Sequence, residues 1–209
     1  MIREELKNYI EKIIFKEYEK NDLGHGIEHI KYVIRRSMKF AKDIDNINRE
    51  MVYVIAAYHD IGHHLDAKNH EKISADMLLN DAKLKEFFTD EEIEVMSIAI
   101  EDHRSSSDTL PRNIYGKIVS SADRNVNVLK TLERCYYYNL NHHPDLSNED
   151  RLEECRMFLL KKYGPSGYAR NKMFFDDDEY DKYLEDLTNL ASNKEEFAKQ
   201  ISIIKNKKN

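Results

Sequence analysis

The stretch that most limits what this chain can become is Tyr53-Val-Ile-Ala-Ala-Tyr-His-Asp-Ile-Gly-His-His64. Apolar and small residues run without a polar face and then stop at His59-Asp60, with Gly62 expected to release the chain. A helix apolar all round belongs in a core. An imidazole and a carboxylate at its buried end are costly unless something compensates them. Two compensators fit the pair. One is a His-Asp hydrogen bond that orients the helix end; the other is a metal ion, since neutral imidazole nitrogen and carboxylate oxygen are good ligands for zinc, manganese or iron.

The remaining sequence favours helices. Three prolines and six glycines among 209 residues leave few breaks, and 34% charged against 41% hydrophobic residues suits a water-exposed surface over one core. No apolar run reaches the roughly 18 residues of a membrane span. The opening Met1-Ile2-Arg3-Glu4-Glu5-Leu6-Lys7 is not expected to be a signal peptide. Cys135 and Cys155 lack ligand spacing and suggest no disulfide framework, so a cytoplasmic location is expected. A net charge of −6 argues against a nucleic-acid polymer as partner. A local basic pocket for a small phosphate compound is compatible with it.

Periodicity predicts helices throughout. Ile2, Leu6, Tyr9, Ile10, Ile13 and Ile14 mark an amphipathic helix over 2–20, ended by Asn21-Asp22-Leu23-Gly24. Ile30, Val33, Ile34 and Met38 line the next; if it starts early, His25 and His29 share a face. Helices are further expected over 49–60, from Asn69 as N-cap, from the capped start Thr89-Asp90-Glu91-Glu92 to His103, and from Tyr115 to Asp123, continuing through Leu129 and Leu132 to Tyr136. Leu78, Leu79, Leu84, Phe87 and Phe88 are expected core. His142-His143-Pro144 reads as surface, 149–163 as a helix, 164–175 as a glycine-punctuated loop, and 179–204 as helical with a break near Ser192-Asn193. Nothing alternates with period two. The expectation is an all-α, single-domain helical bundle over 1–209, with a metal-binding core about 23–130 and a C-terminal helical extension about 140–205.

Seven of the nine histidines lie between positions 25 and 103, several beside an acid at a helix end. The spacings of His29, His59-Asp60, His70, His103 and Asp123 are too long for a zinc finger, so such ligands would come from different helices. With these residues the chain resembles the HD-domain superfamily, whose pattern is a first His, an adjacent His-Asp pair and a distant Asp on one metal. The contexts agree: Tyr-His-Asp-Ile-Gly at the pair, His-Glu-x-x-Ser-Ala at 70–75, Ala-Ile-x-x-His at 99–103 and Val-x-x-Ala-Asp-Arg at 119–124.

The resemblance implies His29, His59, Asp60 and Asp123 as metal ligands. His70 and His103 match the further histidines of two-metal members, with Asp60 then bridging; alternatively they line the pocket around one ion and bind phosphate. The implied cofactor is a divalent ion (Mn, Fe, Mg, Co or Zn), one or two per chain. The implied activity is metal-dependent hydrolysis of a nucleotide or related small phosphate ester or anhydride. Asp60 or His64 would take the proton, and His25, Arg104, Arg124, Arg170 and Lys172 are candidate phosphate contacts. The branch that cleaves cyclic dinucleotides carries a lysine where His63 stands and a Gly-Tyr-Pro triplet missing after His103-Arg104; the acid pair of alarmone hydrolases is replaced by His63-His64. Two other readings stay open: a di-iron oxygenase of the same fold, and a non-catalytic nucleotide-binding sensor. Tyr136-Tyr137-Tyr138 is a candidate for core, pocket wall or the contact of a homodimer.

Overall fold

A computed structural model describes residues 2–22, 24–104, 107, 109–170 and 173–206. These residues are all-α, with no strand among them. The chain divides into two compact units, Met1–Asp123 and Arg124–Asn209.

The first unit contains α1 (Glu4–Tyr9), α2 (Phe15–Glu17), α3 (Ile27–Phe40), α4 (Arg49–Tyr58), α5 (His70–Leu79), α6 (Asp90–Glu101) and α7 (Ile114–Ala122). As its composition requires, α4 is the centre: every residue from Met51 to Tyr58 is buried, and α3, α6 and α7 pack on it. Asn48 starts it by accepting from the Glu50 and Met51 N–H groups. The capping box anticipated at Thr89 and Glu92 opens α6.

The helix expected over 2–20 is interrupted. A π-helical turn, Ile10–Ile14, lies between α1 and α2, and a 3₁₀ turn, Tyr18–Lys20, follows. Leu6, Ile10, Ile14 and Tyr18 are spaced by four and are at most 4% exposed. A spacing of four drifts around a 3.6-residue helix, and the wider π turn keeps the row facing inward. Ile13 falls on the other side, 51% exposed, against its assignment to the apolar face; Leu79, at the end of α5, is likewise 42% exposed rather than core.

The chain leaves α4 at Tyr58, ahead of Gly62 where its release was expected, and Gly62 does not adopt a positive φ. Its function is close approach. A Cβ there would lie 2.6 Å from Ile73 Cγ2, 2.9 Å from Ile73 Cβ and 3.0 Å from Ser74 N. The Gly62 N–H also donates to Ser74 Oγ at 3.0 Å, so the turn after α4 is pressed directly onto α5.

The second unit holds α8 (Val128–His142), α9 (Asn148–Tyr163), α10 (Asp178–Ser192) and α11 (Lys194–Asn206). Contrary to expectation, α7 does not run on into α8. The Asn127 side chain accepts from Lys130 N–H and starts a new helix at Val128. Leu132, Tyr136, Leu159, Tyr180, Leu184, Leu187, Phe197 and Ile201 form the core of this unit. Tyr136 is therefore core, whereas Tyr138 is exposed and stacks on His142 at 3.9 Å. Buried Arg151 donates to the carbonyls of Asn139, His143 and Leu146 and so satisfies the end of α8. The break at Asn193 falls where the sequence placed it.

Candidate metal centre

Five helix ends of the first unit deliver the side chains. His29 stands in the first turn of α3 and His70 is the first residue of α5. His59, His103 and Asp123 lie at the C-terminal ends of α4, α6 and α7, with Asp60 one residue beyond His59. The partial negative charge of three helix C-termini favours a cation there.

Asp60 is the hub. Its Oδ2 faces His29 Nε2 at 3.4 Å and His59 Nε2 at 3.4 Å. Its Oδ1 faces His70 Nε2 at 3.2 Å and His103 Nε2 at 3.5 Å. Asp123 Oδ1 completes the first set, 3.2 Å from His29 Nε2 and 3.9 Å from His59 Nε2. One carboxylate thus presents one oxygen to each of two donor groups.

The histidine hydrogen bonds test whether a cation fits. Backbone carbonyls accept from the Nδ1–H of His59 (Ala56, 2.9 Å), His70 (Ala67, 3.0 Å) and His103 (Ile100, 2.6 Å). That tautomer leaves Nε2 as a bare lone pair on each neutral ring. His70 and His103 then turn two such nitrogens on one another at 3.3 Å, an arrangement that a proton or a cation must relieve. The Nε2 atoms of His29 and His59 are buried without a hydrogen bond of acceptable geometry. Donors held about 2.1 Å from one ion sit about 3.0–3.4 Å apart at octahedral or tetrahedral angles. The residues fit a divalent ion.

Charges couple across the cluster. Burial lowers the pKa of His59 to about 4. Burial also opposes charge on His29, but the carboxylates of Asp123 and Asp60 outweigh it and raise His29 to about 10. Burial works against ionised Asp60 as well, and His59, His103 and His29 nevertheless hold it well below the usual carboxylate range. Asp123 is brought down to about 2 in spite of burial, chiefly by His29. In the ion-free protein a proton on His29 neutralises part of the charge that a metal would neutralise.

The structure therefore brings together His29, His59, Asp60, His70, His103 and Asp123. His64 stands apart from them: its N–H and Nδ1 both address Asn21 Oδ1, at 2.9 and 3.2 Å. His25 lies before the start of α3, and its ring centroid is 5.9 Å from that of His29. Arg104 pairs with Glu71 at 3.3 Å and donates to the Lys68 carbonyl. Buried Arg124 follows Asp123 directly, as the first residue of the second unit. In that same unit Arg170 donates to the carbonyls of Tyr163 and Gly164, and Lys172 lies outside the described residues.

Sequence reasoning missed two participants. Asn21, read only as a breaker, donates to the carbonyls of Asp60 and His25 at 3.0 Å each and ties the two loops together. His63, read only as a replaced lysine, stacks on His25 at 3.8 Å and lies 5.3 Å from His70. The density of histidines was the available signal for His63; nothing local signalled Asn21.

Among the described residues no helix is long and apolar enough to cross a membrane. Residues 26–127 match the family model described as HD domain, a span that includes every residue of the cluster from His29 to Asp123. No curated protein and no solved structure matches the chain.

Proposed function

We propose that this chain, whose residues 26–127 match the HD-domain family model, is a metal-dependent phosphohydrolase acting on a nucleotide or a similar small phosphate ester or anhydride. The observation that carries this reading is the division of Asp60, with Oδ2 toward His29 and His59 and Oδ1 toward His70 and His103. That arrangement suits two divalent ions sharing one carboxylate, with His29, His59, Asp60 and Asp123 holding one and Asp60, His70 and His103 the other. Four imidazoles among the donors favour Mn, Fe, Co or Zn over Mg, which prefers oxygen ligands. An ion at such a centre supplies Lewis acidity, lowering the pKa of water toward neutrality and polarising a phosphoryl oxygen.

The chain's own residues have separable roles. Backbone carbonyls fix the tautomers of His59, His70 and His103 and aim their Nε2 lone pairs. Asp60 and Asp123 carry the negative charge that retains the cations. Asn21 holds the Asp60 loop in place. His25 is the phosphate contact best placed beside the cluster; Arg104 serves once its pairing with Glu71 yields, and Arg124, Arg170 and Lys172 remain candidates on sequence alone. Because His64 is directed to Asn21, Asp60 is the preferred proton acceptor.

The test is release of phosphate or pyrophosphate from a nucleotide panel with Mn²⁺, Co²⁺, Fe²⁺ or Mg²⁺, beside Asp60→Ala. Metal-dependent release abolished by the substitution supports the reading, and the product shows which bond breaks. Silence across the panel from a metal-loaded protein rejects it. A second reading, the di-iron oxygenase, draws on the same convergence of His70 and His103, and would show instead as iron on purification and substrate-dependent oxygen uptake.

A further inference from the structure

Outside the six-residue cluster, a second convergence of ligand atoms remains. The side chains of Asp22, His25 and His63 each offer one donor, and these donors lie within 4.8 Å of one another. His25 Nδ1 is 3.0 and 3.1 Å from the two carboxylate oxygens of Asp22. His63 Nδ1 is 3.9 Å from Asp22 Oδ2, with the two imidazoles stacked at 3.8 Å and 19°. A His25–Asp22 ion pair accounts for His25 alone. It leaves His63 unexplained: its side chain is 14% exposed and aimed at the same carboxylate, yet at 3.9 Å it is beyond hydrogen-bond reach.

We propose that Asp22, His25 and His63 form a further divalent-metal site, beside the buried centre and distinct from it, for an ion that prefers imidazole, such as zinc. Two imidazoles and one carboxylate are a sufficient protein donor set, with water completing the coordination. The separations of 3.0 and 3.9 Å bracket the spacing expected of ligands on one ion, and binding requires His63 to turn out of its 19° stack on His25 so that both in-plane Nδ1 lone pairs converge. Asp22 is already oriented, because its Oδ1 accepts from the N–H groups of Gly24 and His25 at 2.7 and 3.1 Å. With Asp22 60% exposed, this site binds more weakly than the buried centre and fills after it. An ion here also engages His25, so excess zinc inhibits turnover; that consequence rests on the phosphohydrolase reading, whereas the site itself does not.

Equilibrium dialysis against rising Zn²⁺, followed by elemental analysis, tests the proposal on the full chain, His63→Ala and Asp22→Asn. The parent is expected to take up one equivalent more than either variant, and both variants to keep the tighter equivalents. Asp22→Asn changes one oxygen at an exposed position, so it decides the matter if His63→Ala fails to fold. The proposal is overturned if Asp22→Asn, or folded His63→Ala, binds as many equivalents as the parent. Phosphate release measured alongside separates the two readings, because the metal count stands whether or not any substrate is turned over.

Discussion

Replacing Gly62 with alanine tests how closely the centre depends on the contact between the turn after α4 and the start of α5. The added Cβ would sit 2.6–3.0 Å from Ile73 Cγ2, Ile73 Cβ and Ser74 N, where ordinary carbon contacts are about 3.5–4.0 Å. Two of those three atoms are anchored to the α5 backbone and cannot swing aside, so the helix itself must move. Overpacking of this kind costs about 1–3 kcal/mol. Strain on the Gly62 N–H to Ser74 bond adds up to about 1 kcal/mol. The reduced freedom of the unfolded chain returns about 0.4–1 kcal/mol. The central values sum to a net loss of about 2 kcal/mol, which lowers Tm by roughly 4–8 °C for a chain of this length. Because α5 begins at His70, the same movement separates His70 Nε2 from Asp60 Oδ1, now 3.2 Å apart. Metal affinity on the His70–His103 side is expected to fall about 10–100-fold, the range typical of lost ligand support. Circular-dichroism melting in chelator isolates the first effect, and metal titration measures the second. A variant melting at or above the parent temperature with unchanged affinity would show that the backbone relaxes freely and that close approach is not why glycine stands here.

Three other outcomes follow from the described geometry. His70→Ala is expected to remove one bound ion and Asp60→Ala both, as counted by elemental analysis; equal counts for parent and His70→Ala would leave a single-ion centre. The ion-free protein should be most stable near pH 6.5. Below that, the unfolded chain binds a proton that His59 refuses until about pH 4; above it, the native state keeps the His29 proton until about pH 10 and loses that advantage as pH rises. Metal loading should flatten the alkaline limb and release protons on uptake, and a Tm that keeps rising through pH 9 without metal would refute the assignment. Finally, we propose that residues 1–209 unfold as one domain despite their two compact units, so calorimetry should show a single transition; two separated transitions would establish two domains.

What was legible in the sequence was chemistry placed at the ends of apolar segments. His59-Asp60 and Asp123 each close a buried helix, and an ionisable group there has few explanations. The all-round apolar character of α4 likewise named the central helix. What was hidden depends on contacts between distant segments. Gly62 reads as a helix breaker until Ile73 is seen against it. Asn21 reads as a turn residue until its amide is found on the Asp60 carbonyl. Periodicity carried the seventh helix on to Tyr136 because Leu129, Leu132 and Tyr136 keep an apolar rhythm, while Asn127, a capable N-cap, ends that continuity. Three- and four-residue spacing of Ile2, Leu6, Tyr9, Ile10, Ile13 and Ile14 suggested a plain helix, and only the burial of Leu6, Ile10, Ile14 and Tyr18 as one row exposes the π turn.

The residues around Asp60 are drawn from positions 29 to 123, and this has a kinetic consequence. No short segment holds enough of them to capture an ion, so α3 through α7 must be in place before a full donor set exists. Contacts that form that late are absent from the folding transition state, and strengthening them slows escape from the native state instead of hastening arrival. A bound ion should therefore leave the refolding rate nearly unchanged while lengthening the lifetime of the folded chain, so that metal supply governs how long the molecule persists.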